Sequence, residues 1–148
     1  DIADTVCKTA LLRPDVIALK ELPIQTLRDG VTDPKWEQFR PWFVACCALI
    51  SYREGQPAEA IRWTTRMPTL QGQPGALALV VRAMSEHKLG QLEAARESLK
   101  AAELQIPLAL RTLGIAGDST SLPVPNGTVD HDWLVPEVLR REAADLLK

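Results

Sequence analysis

The sequence predicts an all-α fold, an array of antiparallel helix pairs in one domain of 148 residues, and three observations predict it. One pattern occurs twice, 35 residues apart: over Val44–Ala60 and Leu79–Ala95, Ala48 matches Ala83, Gly55 matches Gly90, Gln56 matches Gln91 and Ala60 matches Ala95. A period of this length signals stacked helical hairpins, each burying its apolar face only against its neighbours. Apolar residues also recur at helical spacing along most of the chain, and glycine and proline mark where one helix stops and the next begins.

At the N-terminus, residues 1–30 read as a degenerate helix pair. Ile2, Val6, Ala10 and Leu11 form one stripe after a cap at Asp4, and Val16, Leu19 and Leu22 form a second. That second stripe is interrupted at Pro23 and resumed by Ile24 and Leu27 until Gly30. Asp33-Pro34 is a cap followed by proline at the first helical position. Trp36, Phe39, Trp42, Phe43, Cys46, Cys47 and Ile50 then continue one long helix, which Pro41 either kinks or starts afresh. Gly55 ends it as a left-handed residue, and Pro57 opens a partner helix to about Met67-Pro68.

After the turn-rich stretch Thr69 to Gly75, Pro74 begins a third strong helix through Leu89. Gly90 ends it, Leu92 to Leu104 pairs with it, and Pro107 closes the unit. Residues 108–130 carry Gly114, Gly117, Pro123, Pro125 and Gly127, which exclude a regular helix; a loop of this length is often functional. Within it, Asn126-Gly127-Thr128 reads as a turn before it reads as a glycosylation acceptor. Residues 131–148 form a closing helix capped by Asp132. Its apolar side carries Trp133, Leu134, Val138, Leu139, Ala143, Leu146 and Leu147 and shields the last hydrophobic face of the array.

Composition narrows the function. The formal net charge is −2, and basic and acidic residues are nearly balanced in each third of the chain, so no segment supplies the basic stripe of a nucleic-acid footprint. Cys7, Cys46 and Cys47 cannot all pair. Adjacent helical positions diverge by about 100°, so reduced, packed thiols in a cytoplasmic protein are expected. No apolar run reaches the length of a membrane helix, and no leader pattern opens the chain.

These residues resemble the tetratricopeptide repeat, a helix–turn–helix unit, over residues 36–68 and 74–107. With the turn glycine as position fifteen, Leu79, Ala83, Gly90, Ala95, Leu99, Ala102 and Pro107 fall on that family's positions. Val44, Ala48, Gly55 and Ala60 do so in the first unit, which departs at Thr64 and Met67. The resemblance implies a right-handed α-α superhelix of six to seven helices. The segments Tyr-Arg-Glu-Gly-Gln and His-Asp-Trp-Leu are also similar to tetratricopeptide regions of large bacterial signalling proteins, including serine/threonine kinases.

The same resemblance implies a concave groove lined by Trp42, Ala45, Leu49, Tyr52 and Arg53, then Leu77, Val80, Met84, His87 and Lys88, apolar at one end and basic at the other. Ala45, Leu49, Val80 and Met84 do not suit the capture of a C-terminal carboxylate. Either a partner's helix or apolar peptide lies in the groove, with Arg53 and Lys88 orienting an acidic residue, or the N-terminal segment or the closing helix fills it from within.

Chemistry is expected nowhere. Glu86 and His87 point about 100° apart on a helix and form no dyad. Asp130-His131-Asp132 offers too few ligands for a metal, so no metal or cofactor is expected. The cysteines lack CxxC spacing, and phosphate loops and nucleophile elbows are missing. Of the tryptophans, Trp63 and Trp133 are expected between helices. Trp36 and Trp42 point in different directions, one to the N-terminal pair and one to the groove. The expected role is a non-catalytic scaffold for a protein partner, or a structural domain packed on another domain of its own polypeptide.

Overall fold

The computed structural model describes residues 11–12, 22–107 and 131–148, and every regular element among them is helical. The helices are α1 (Ile24–Thr32), α2 (Arg40–Arg53), α3 (Pro57–Thr64), α4 (Gly72–Lys88), α5 (Leu92–Glu103) and α6 (His131–Leu146), with a 3-10 segment over Pro34–Phe39 before α2. Residues 108–130, Cys7 and most of the expected N-terminal pair lie outside the described residues.

α1 corresponds to the second half of that pair, but Gly30 does not end it. The helix runs on to Thr32, and Gly30 is buried inside it, where an added Cβ would stand 2.5 Å from the Phe43 ring. Asp33 does cap: its Oδ1 accepts from the Lys35 N–H at 2.9 Å. The capped segment is a 3-10 turn with a non-helical Trp36, and a fresh α-helix starts at Arg40 with Pro41 in its first turn. Pro41 therefore begins α2. The Trp36 ring meets Phe39 at 6.0 Å and Phe43 edge-on at 6.3 Å.

The sequence repeat is a backbone repeat. Gly55 and Gly90 have φ 76° and 75°. The Gly55 N–H donates to Tyr52 O at 3.0 Å and Gln56 N–H to Ser51 O at 2.9 Å; Gly90 donates to His87 O and Gln91 to Glu86 O, both at 2.9 Å. Each turn thus carries the paired bonds of a Schellman end, which satisfy carbonyls that a helix terminus would otherwise leave open. Ala60 and Ala95 then donate to Gln56 and Gln91, both at 3.0 Å. Ala48, Ala60, Ala83 and Ala95 are wholly buried, as residues at a close helix crossing must be. α2 packs on α3 and α4 on α5, while α4 also packs on α2 and α3.

Two boundaries differ from expectation. α4 begins at Gly72, leaving Pro74 inside its first turn, and α3 stops at Thr64. Thr64 and Thr65 donate their hydroxyls back to Ile61 O and Arg62 O, both at 2.7 Å, a competition with backbone pairing that weakens a helix end.

The first helix of each pair is buried on all sides: every residue from Phe43 to Tyr52, and all of Gly75–Glu86 except Arg82. α1, α3 and α5 instead bury a stripe and expose the rest. α6 belongs with the first type by direction. Trp133 near its start borders a hollow with Gln71 and Gly72 at the start of α4. Glu142 near its end bonds Arg53 at the end of α2, and Lys88 at the end of α4 lies over Tyr52. So α2, α4 and α6 run the same way, and α6 packs chiefly on α4 and more lightly on α5.

The buried side of α6 differs from the expected stripe. Val135, Leu139 and Ala143 go inward, while Leu134, Val138 and Leu146 stand 43%, 44% and 40% exposed. Leu139 and Ala143 repeat the spacing of Val44 with Ala48 and of Leu79 with Ala83, all six buried. The helix starts at His131, so Asp132 stands in its first turn, where the helix dipole favours its carboxylate.

Candidate functional site

The expected groove positions gather on α2 and α4, and most of them are buried. Leu49, Tyr52, Leu77, Val80 and Met84 are buried core, as is Ala45; Trp42 and His87 are half-buried, and Lys88 is exposed. The reason lies in composition: a helix apolar on every face has no side left for solvent. α6 lies along α4, and Leu11, itself buried, reaches the end of α2.

The basic end holds a connected polar cluster. Arg53 donates through both terminal nitrogens to Glu142, Nη1 to Oε1 and Nη2 to Oε2, each at 2.6 Å; its Nε donates to the Leu11 carbonyl at 3.3 Å. The Arg53 side chain is 9% exposed and that of Glu142 34%. The Lys88 ammonium sits 4.3 Å and the Arg53 guanidinium 5.5 Å from the centre of the Tyr52 ring. Burial pushes the Tyr52 phenol above its ordinary value, the Glu142 carboxylate adds to the rise, and Arg53 opposes it. Of the two cations expected to orient a partner's acid, Arg53 holds an acid of this chain's own α6.

A second bridge ties α6 to α5. Arg140 donates to Glu103 at 3.1 Å and through Nε to the buried Glu137 at 2.7 Å; Arg141 also donates to Glu137, at 2.8 Å. Within the second pair, the buried Glu86 accepts from Ser98 Oγ at 2.7 Å and Arg82 Nε at 2.8 Å, so its carboxylate is engaged with α5. Cys46 and Cys47 are packed in the core. Among the described residues, no three His, Cys, Asp or Glu side chains are grouped so as to hold a metal, and no helix is long and apolar enough to cross a membrane.

The described surface also carries a hollow. Gln71, Gly72, Ala101, Leu104, Gln105 and Trp133 border an open hollow of about 530 Å³, where Leu104 is 81% exposed and Gln105 donates to the Leu70 carbonyl at 2.5 Å. Trp63 is buried, with the Arg66 guanidinium 4.3 Å from its ring centre. Sequence reasoning missed Glu142, Glu103 and Arg140 as the groups that fix α6. The available signal was the unbroken apolar run of α2, which calls for cover from within the chain. Comparison with protein-family models, with curated proteins and with solved structures gives no match.

Proposed function

We propose that the chain is a non-catalytic interaction and scaffold module of tetratricopeptide type, its helix pairs stacked in a right-handed superhelix, working in a cytoplasmic, bacterial setting as part of a larger protein. The observation that carries this reading is the pair of matching glycine turns at Gly55 and Gly90, with the same backbone bonds 35 residues apart. Repeats built this way serve as rigid surfaces for other proteins. The Arg53–Glu142 contact supports the helix-binding form of the reading, because α6 already presents apolar residues and an acid to this face.

The experiment is capture of proteins by the immobilised chain, then titration of each captured protein, purified, against wild type and Glu142→Lys. Submicromolar binding that changes with Glu142 supports the module. No binding above an unfolded-bait control sinks it.

The burial of Leu49, Leu77, Val80 and Met84 favours a second reading, a structural domain with no separate ligand, packed on another part of its own polypeptide through Leu104, Leu134 and Val138. Sedimentation of the chain mixed with the remainder of its parent protein discriminates: a stable complex lost on Leu134→Glu and Val138→Glu supports this second reading.

A further inference from the structure

We propose that α6 is the resident occupant of a helix-docking site, and that the partner is a helix of the same chemistry: aliphatic at i and i+4, a carboxylate at i+7 and a small residue at i+8. This rests on the interaction-module reading above and names the partner for it.

The pattern is read from α6, where those positions are Val135, Leu139, Glu142 and Ala143. The carboxylate is the selective part. Arg53 remains on α2 whatever covers it, and its side chain is only 9% exposed with both terminal nitrogens on Glu142. A guanidinium so enclosed is costly to leave unpaired, so a replacement helix without an acid at this position is rejected. Lys88, exposed beside Tyr52, adds a second positive charge at the same end.

α6 is also held by less burial than α2 and α4, the two helices whose ends meet at this cluster. Among its described residues it buries Val135, Pro136, Glu137, Leu139 and Ala143, where α2 buries an unbroken run of ten. Pro136 lies within it and removes the N–H that would bond the Asp132 carbonyl, so α6 depends on its docking surface to stay helical. Residues 104–130 separate it in sequence from the end of α5, and no turn of the two helix pairs lies within it.

The test uses the full chain and a fluorescein-labelled peptide of residues 131–148. A Leu139→Asp chain, whose own helix no longer competes, binds the peptide at least about tenfold more tightly than wild type, and a Glu142→Lys peptide loses most of that affinity. A Leu139→Asp chain that keeps its helical circular dichroism yet binds no peptide, or binds both peptides equally, overturns the proposal. Wild-type hydrogen exchange provides a readout without substitution. Amides of Leu139–Leu146 exchanging at least about tenfold faster than those of Leu79–Met84 support it, and equal rates overturn it. The two readings fail separately: a tightly held α6 ends the exchange but leaves other surfaces of the module, whereas a chain that captures no protein ends the module even if the peptide docks.

Discussion

Arg53 and Glu142, 89 residues apart in sequence, share two parallel hydrogen bonds of 2.6 Å, and the same guanidinium reaches the Leu11 carbonyl. One side chain at the end of α2 therefore joins three separate stretches of the chain. Its planar fork suits this, since Arg can pair a carboxylate with two nitrogens and keep a third donor for a carbonyl.

The two partners are unequally buried, and their removal has unequal consequences. Glu142→Gln leaves Arg53 enclosed without a counter-charge and is expected to cost about 2–4 kcal/mol. Arg53→Met keeps most of the packing and leaves Glu142, a third exposed, free to rehydrate, at a cost of about 1–2 kcal/mol. Urea unfolding of both variants gives the order. Equal losses, or the reverse order, would show that the contact is worth little as an ion pair.

Tyr52 reports on the same cluster, and it is the chain's one tyrosine, so phenolate absorbance reads it alone. Its ionisation is disfavoured in the folded protein, first by burial and then by Glu142. The folded protein therefore holds this proton more tightly than the unfolded chain does. Its contribution to stability is level below about pH 10 and falls as pH rises from there through the folded value. Tyr52→Phe is expected to flatten that alkaline fall, and Glu142→Gln to bring the phenolate midpoint part of the way down. A midpoint at the ordinary tyrosine value in the folded protein would refute the burial of this ring.

Gly55 and Gly90 have nearly the same positive φ, and a Cβ added at either meets nothing within 4 Å. Only the backbone conformation opposes a side chain there. Alanine at each is expected to cost about 1 kcal/mol, with asparagine cheaper at both sites. If the turns are equivalent, the two losses agree within about 0.5 kcal/mol and add in the double variant. Thermal denaturation of the three proteins measures this, and a clear inequality would separate the repeats.

The helix pairs were legible because their signals are local: a glycine that must adopt positive φ, and alanines where helices cross, at Ala48, Ala60, Ala83 and Ala95. The groove was less legible because family positions describe which side of a helix faces inward, not what else covers that side. Leu49, Val80 and Met84 sit on helices apolar all round, and that composition outweighs position within the repeat. The matching burial in α6 was hidden for another reason: Leu139 and Ala143 fall off the 35-residue offset of Leu79 and Ala83. Its inward face was misread because Leu134 with Val138 and Val135 with Leu139 are both apolar pairs at helical spacing, and only the place of α4 decides between them.

Gly30 and Gly75 make the last test, because helix propensity and packing predict opposite signs. At an open helical site, Gly→Ala stabilises by about 1 kcal/mol. At Gly30 the new methyl would meet Phe43 Cε2 at 2.5 Å, and at Gly75 it would meet the Leu70 backbone. Both substitutions are expected to destabilise, by about 1–3 kcal/mol. They differ in what relieves them. The obstacle at Gly30 is a side chain, so Gly30→Ala with Phe43→Leu recovers part of the loss relative to Phe43→Leu alone. Trimming Leu70 leaves its backbone where it is, so Gly75→Ala with Leu70→Ala recovers nothing. Double-mutant cycles from urea midpoints decide it, and a stabilising Gly30→Ala would mean that α1 does not approach α2 at this point.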